Sequence, residues 1–442
     1  MGIVQGLDSY FRISERGSSL GTEVRAGITT FLVMAYILFV NALILGDAGL
    51  DPTAVAAGTA LVAAIMTIAM GVFSNYPIAM AAGLGLNAVV AYSLTAQGLS
   101  IEGAMGVVVW EGVLVTILVL LGLREAVMEA IPTSLKYSIG VGIGLFILFI
   151  GLVNGGLVHG EGGTIVEFVF PTEAGQGVTL IGVLIGVVLV ARKVRGAMII
   201  TIVATTIVAL IAGVASVPDT ISASVNFETF GGFDLGNSFA ELGFLSAILA
   251  IFTLMLADFF DTMGTATAIV EQAGLTKKDG GIGRLKSLLL VDSLGAAFGG
   301  VAGVSSNTSY IESSAGVAEG GRTGLTSVVT GILFLIAIVL SPLAGIVPGQ
   351  ATAPVLILIG FLMVGLLKHI DFTDLEEGLP ALLAIILMPL TFSITVGIAA
   401  GFVTHTLIKV VKGKSSEIHV LMWVVSIASL VYFASDWIEM FL

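Results

Sequence analysis

The sequence predicts an all-α polytopic membrane protein of fourteen transmembrane elements in two inverted seven-span repeats. Three observations carry that expectation. Hydrophobic residues make up 57% of the 442 positions and charged residues only 11%, whereas a soluble domain carries about 25% charged residues. When successive apolar segments alternate across a bilayer, all 17 Lys and Arg residues fall on one side, a positive-inside bias that supports both the count and the orientation. Finally, the third element of each half is a short, Gly-interrupted piece. Seven is odd, so two such halves run with opposite orientations, the plan expected of secondary transporters.

The elements follow in order. Residues 1–25 form a cytoplasmic N-terminal segment with no basic n-region, short apolar core or cleavage site, so no signal peptide is read; within it, Ile3 to Ile13 suits a short interfacial helix or a tail. The first repeat, 26–216, holds apolar segments at 26–45, 53–73, 101–121, 134–155, 178–193 and 196–216, with the interrupted piece at 77–95. Residues 217–241 are read as an extracellular loop between repeats, and the loops on that side carry acids such as Asp47, Asp51, Glu102, Glu161 and Asp219. The second repeat, 242–414, holds segments at 243–270, 284–303, 322–341, 350–368, 376–393 and 394–411, with its interrupted piece at 305–319. Each full segment is apolar enough to enter a hydrocarbon core of about 30 Å. An extra apolar segment within 415–442 either spans or packs along the bundle.

Composition also excludes. There is no cysteine, which removes disulfides and thiolate metal sites. His159, His369, His405 and His419 are scattered, which argues against a histidine metal cluster, and no cofactor is expected. The net charge of −13 reads as acidic loops and says nothing about the substrate.

Chemistry concentrates in a few places. The stretch from Ser305 to Gly324 is too polar for an ordinary span and carries Glu312, a carboxylate whose insertion costs roughly 2.5–3.5 kcal/mol and is functional by default. Broken helix of this kind is tolerated at depth only where it is buried in protein or lines a cavity. Its half-helix is expected to begin near Thr308, with Tyr310 beside Glu312. The first interrupted piece, Tyr76 to Tyr92, offers Gly83 and Gly85, where backbone can approach a ligand, and Asn87. These three equally suit helix packing and an interhelical hydrogen bond.

The segment LADFFDTMGTATAIV places Asp258 and Asp261 three residues apart, hence as neighbours on one helix face with Thr262 and Thr265. Two carboxylates at such depth must pair, protonate or bind a cation. Asp292 is either an ion-pair partner for Arg284 or Lys286 or part of a proton path. Glu319 and Arg322 read as a surface pair, Glu376 as solvated, and His405 as hydrogen-bonded structure. A cavity lined by Asn, Tyr, Ser/Thr and carboxylates, without Lys or Arg, suits a neutral, planar polar solute moved with protons or sodium. Other classes fit less well. A same-fold anion transporter does not account for Glu312, and an intramembrane aspartyl protease would need YD and GxGD motifs that are absent. A passive channel stays open.

At these residues the chain resembles the AzgA-like purine permease branch of the nucleobase–cation symporters, within the xanthine/uracil permease superfamily. The stretches are MAYILFVNALIL, NYPIAMAAGLGLNA, DFFDTMGT, SYIESSAGVAEGGRTGLT and ATAPVLILIG, and the likeness runs from about Glu23 to Lys414. It implies core and gate domains and proton-linked import of adenine, guanine or hypoxanthine, with uracil or xanthine as the alternative. It implies substrate contacts at Asp261, Glu312, Tyr310 and Asn87; the residues themselves add Gly85 and Thr308 as substrate-binding candidates and Asp258, Asp261, Asp292 and Glu312 as proton-coupling candidates, and no metal or catalytic residues are expected. The D-x-x-G spacing to Gly264 selects Asp261 over Asp258 for the substrate role. Asn41-Ala42 stands where that branch has Asn-Pro, and VSSNTSYIES departs from its usual run before the tyrosine. The partners implied are a nucleobase and the lipid bilayer, with a homodimer compatible and no nucleic acid, in the plasma membrane with a cytoplasmic N-terminus.

Overall fold

The computed structural model describes residues 3–122, 130–159, 166–216, 225–277 and 282–434. Arg124, Lys278, Glu161, Asp219 and residues 435–442 lie outside the described residues.

Helix starts follow the capping residues. After α1 (Ile3–Phe11), α2 (Leu20–Met34) begins six residues ahead of the apolar run, because the Ser19 hydroxyl accepts from Thr22 N. The helix then breaks at Ala35 and Tyr36 and resumes as α3 (Ile37–Asp47). Asp51 caps α4 (Pro52–Ala69), whose first residue is proline, where a missing N–H costs nothing. The first interrupted element is a strand, β1 (Met80–Ala82), followed by a half-helix, α5 (Leu84–Ala88), which continues in wider π-type turns to Leu94. Ser100 caps α6 (Ile101–Leu121).

Next come α7 (Thr133–Asn154), a small hairpin of β2 (Val158–His159) and β3 (Glu167–Phe168), α8 (Ala174–Ala191) and α9 (Ala197–Ile211). The second half opens with α10 (Asn237–Gln272), kinked at Gly243 where φ is 74°, and α11 (Leu285–Val301). Its interrupted element is β4 (Asn307–Ser309) and the half-helix α12 (Ser313–Ala318). Then follow α13 (Gly324–Ala337), α14 (Gly349–Val364), α15 (Leu375–Thr391), α16 (Ile394–Val411) and α17 (Val420–Phe433). Among the described residues, nine helices are long and apolar enough to cross a membrane.

The helices pack as two groups. Helices α2 to α6 and α10 to α13 form one, dominated by the α6–α11, α4–α13, α2–α13 and α6–α10 contacts; α7, α8, α9, α14, α15 and α16 form the other. The α6–α11 contact is close because a Cβ at Gly112 would collide with the backbone of Ala297, so this crossing admits only glycine.

At the centre of the first group, β1 and β4 pair antiparallel, with Met80 opposite Ser309, Ala81 opposite Thr308 and Ala82 opposite Asn307. All six residues are buried. Backbone that leaves a helix at this depth must find partners inside the protein, and the strand pair supplies them. Gly83 N donates to Ser306 O and Tyr310 N to Ala79 O, each at 2.9 Å. Because the strands are antiparallel, α5 and α12 leave them in opposite directions. Thr308 is therefore strand, and the half-helix expected there starts only after Glu312: three buried residues pairing with β1 satisfy the backbone without a helical turn.

Two peripheral expectations change. Glu376 is buried, not solvated, and Lys409, Lys412 and Lys414 lie 3.1, 2.9 and 2.6 Å from its carboxylate. Glu319 pairs with Arg195 and, at 3.9 Å, with Arg25, whereas Arg322 spends its guanidinium on the Val317 and Gly321 carbonyls. His405 is structural as expected, with Nδ1 3.3 Å from Glu376 O.

Candidate substrate site

Three elements deliver the site. Glu312 occupies the N-cap position of α12, immediately beyond the strand pair. The break between α2 and α3 turns Tyr36 toward it, and the Tyr36 hydroxyl donates to Glu312 Oε1 at 2.6 Å. Across from them, α10 changes character along its length. From Leu249 to Phe259 every residue but the half-buried Phe252 is buried, whereas Asp261, Gly264, Thr267, Ala268 and Glu271 are exposed. Those positions recur at helical spacing and make one face. A Cβ built on Gly264 meets nothing within 4 Å. Asp261 thus opens the exposed face of α10, which continues toward the C-terminal end of the helix.

Asp258 does not share that face. A spacing of three residues rotates two side chains about 60° apart on a helix, and here that angle separates two environments. Asp258 is fully buried and its carboxyl group lies within hydrogen-bonding reach of Glu111 on α6. The expectation of one shared aspartate face is corrected accordingly.

Asp292 binds neighbouring elements together. It accepts from Thr262 Oγ1 at 2.7 Å, from Ser309 N at 3.0 Å and from Ser309 Oγ at 2.8 Å. Thr262 and Thr308 hydroxyls are 2.8 Å apart, so α10, α11 and β4 meet in one hydrogen-bonded chain. Tyr310 is buried, and its hydroxyl donates to Ala82 O, fastening β4 to the end of β1. Gly85 lies against Ile143 of α7, where a Cβ would collide, a close contact between the two helix groups. Asn87 is fully buried, and neither its Oδ1 nor its Nδ2 has a hydrogen-bond partner among the described residues.

Two residues in and beside the site, Tyr36 and Glu111, are not among those the sequence motifs select. The signal for Glu111 was present: a carboxylate in the middle of VVVWEGVLV, at a depth where acids are functional by default. Among the described residues, no group of three or more His, Cys, Asp or Glu side chains is arranged to hold a metal ion.

A multi-pass bundle with half-helices meeting on a buried strand pair, and carboxylates gathered beside them, is the architecture of a membrane transporter. The chain belongs to the permease family: the profile described as Permease family (Xan_ur_permease) matches residues 21–400. It is 41% identical over 414 residues to the adenine permease AdeP of Escherichia coli, covering 93% of this chain and 92% of the relative. It is 39% identical over 439 residues to the guanine/hypoxanthine permease PbuG of Bacillus subtilis, covering 97% and 99%. In fold it is similar to the transmembrane domain of the cyanobacterial bicarbonate transporter BicA, with a TM-score of 0.63 over 86% of this chain and 97% of that one, at 16% identity.

Proposed function

We propose that this protein imports a purine nucleobase, adenine, guanine or hypoxanthine, together with protons across the plasma membrane. The observation that carries the reading is that Asp261, exposed on α10, lies near enough to Glu312 for the two carboxylates to feel each other, with Glu312 oriented by Tyr36. Two acceptor carboxylates suit the N–H-rich edges of a planar base, because a charge-assisted hydrogen bond is roughly twice as strong as a neutral one. The names of the relatives, adenine permease and guanine/hypoxanthine permease, support the substrate class. Asn87, buried with unspent hydrogen-bonding capacity, is a third base contact in this reading.

Movement is assigned to the two helix groups. The group containing β1, β4, Asp261 and Glu312 is the core that carries the base; α7 to α9 and α14 to α16 form the gate, and the core slides against it as an elevator. Fourteen elements in two inverted repeats, with the N-terminus in the cytoplasm, put the C-terminal end of α10 on the cytoplasmic side. The exposed face that begins at Asp261 then runs toward the cytoplasm.

The likeness to BicA concerns the fold alone, and Glu312 at the site disfavours an anion as cargo. Uptake of radiolabelled adenine, guanine and hypoxanthine into a permease-deficient host tests the proposal. Accumulation of at least one, abolished by a protonophore and not competed by bicarbonate, is the expected result. Wild-type chain at the membrane with no purine uptake would overturn it.

A further inference from the structure

Glu111 and Asp258 form an acid pair that the substrate site does not use. Both side chains are fully buried, on the packed helices α6 and α10 respectively. Their carboxyl groups lie within hydrogen-bonding reach of each other, and the other side chains that close are the neutral hydroxyls of Ser306, beside Glu111, and Thr308, beside Asp258; none of the four oxygens has a fully formed hydrogen bond or a cation beside it among the described residues. An ionised carboxylate is an acceptor only, so two of them in contact with no cation between them repel in a medium of low dielectric. A hydrogen bond between them exists only when one carries a proton.

The surroundings strengthen the point. Ser306, just ahead of β4, is fully buried and places its hydroxyl beside Glu111. Thr308 of β4 faces Asp258 and connects through Thr262 to Asp292. Asp292 of α11 is the titratable group that faces the pair from a neighbouring element. Asp261 and Glu312 lie on the open side, and Lys136 of α7 sits over the Phe260 ring, 5.7 Å from its centroid.

We propose that Glu111 and Asp258 share a proton and form the proton-carrying site of the transporter, separate from the base-contacting pair Asp261 and Glu312. The inference rests on the transport reading above. With one proton the pair holds a net charge of −1; a second proton neutralises it. The second proton joins when the core faces one side of the membrane and leaves on the other, and the Thr308–Thr262–Asp292 chain joins the pair to the strands beside the base site.

The test uses the full chain reconstituted in liposomes with adenine, guanine or hypoxanthine. A symporter moving one proton per base accumulates about tenfold for each pH unit of gradient, since one unit is a tenfold change in proton activity. Glu111→Gln, whose amide donates permanently to Asp258, is expected to bind base within about threefold of wild type but to accumulate it no more than about onefold under the same gradient. Glu102→Gln, an exposed acid at the start of α6, serves as the control and keeps gradient-driven accumulation. Accumulation by Glu111→Gln within about twofold of wild type would overturn the proposal.

An infrared measurement needs no substrate. The wild-type chain at neutral pH is expected to show a protonated-carboxyl C=O band that disappears in both Glu111→Gln and Asp258→Asn. Survival of the band in both variants refutes the shared proton. Should Glu111→Gln fail to fold, Asp258→Asn carries both readouts. If no purine is taken up by wild type, the substrate reading fails while the infrared arm still decides the pair.

Discussion

Two sets of buried acids share this bundle and are treated in opposite ways. Near the start of α15, Glu376 is met by Lys409, Lys412 and Lys414. In the middle of the bundle, Glu111 and Asp258 are buried with no cation paired to either among the described residues. An acid surrounded by ammonium groups keeps its charge at little cost, and its role is to tie α15 to α16 and the loop beyond. An acid without a cation at that depth is expensive in every ionised state. Burial alone therefore does not separate the two sets; the presence or absence of a compensating cation does. Asp261 and Glu312 fall between the extremes, since one is open to solvent and the other is held by a tyrosine.

The largest effect expected from this contrast lies at the open pair. Replacing Asp261 with Asn, or Glu312 with Gln, removes an acceptor for a base N–H. Hydrogen bonds to charged groups contribute about 1.5–3 kcal/mol, so uptake should fall by roughly 10- to 150-fold at equal surface expression. Either variant transporting within about twofold of wild type would show that the base sits elsewhere.

A pair of isosteric changes then divides the two buried clusters by sign. Glu376→Gln leaves three lysines facing each other, so the melting temperature of the purified chain should drop, and added salt should shrink the difference. Glu111→Gln removes a buried acid whose neighbour is another acid, so the melting temperature should hold or rise. Equal losses in both variants would mean that the mid-bundle pair is stabilising after all, and the contrast would collapse.

A smaller effect is expected at Tyr36. Tyr36→Phe keeps the ring and deletes the hydroxyl that reaches Glu312 at 2.6 Å. Loss of one hydrogen bond is worth about 1 kcal/mol, roughly fivefold in base affinity. A titration calorimetry series on the two proteins resolves that difference, and unchanged affinity would leave Tyr36 as a packing residue.

The same contrast explains what could be read from the letters. Apolar helices fall where hydropathy places them, so that Ile101–Leu121 and Ile394–Val411 match their expected limits to the residue. Long apolar runs exclude water whatever lies beside them, and that property is local. The strand pair was only partly legible, because β1 and β4 are three residues each and satisfy their backbones solely through one another. Likewise, the Tyr36–Glu312 bond spans 276 positions of sequence. Glu111 leaves only a faint signal in the letters, because one acid barely lowers the hydropathy of the run around it. The lysines around Glu376 belong to a different helix and its following loop, which made a buried acid look like a solvated one.

The smallest effect concerns the ion pair that joins the two helix groups. Arg195 precedes α9 in one group, and Glu319 ends α12 in the other. Such a bridge invites the idea of a lock between core and gate. Its exposure argues otherwise: the Arg195 side chain is 69% accessible and the Glu319 side chain 16%, so water and salt screen most of the attraction. Exposed pairs contribute about 0–1 kcal/mol, which bounds the change in the balance between inward and outward states at roughly fivefold. Arg195→Ala should therefore alter the rate of purine exchange by no more than that, and the difference should vanish in high salt. A tenfold or larger change that persists in salt would show a lock in place of a screened surface contact, and a charge pair at the membrane edge would then have to be counted among the functional ones.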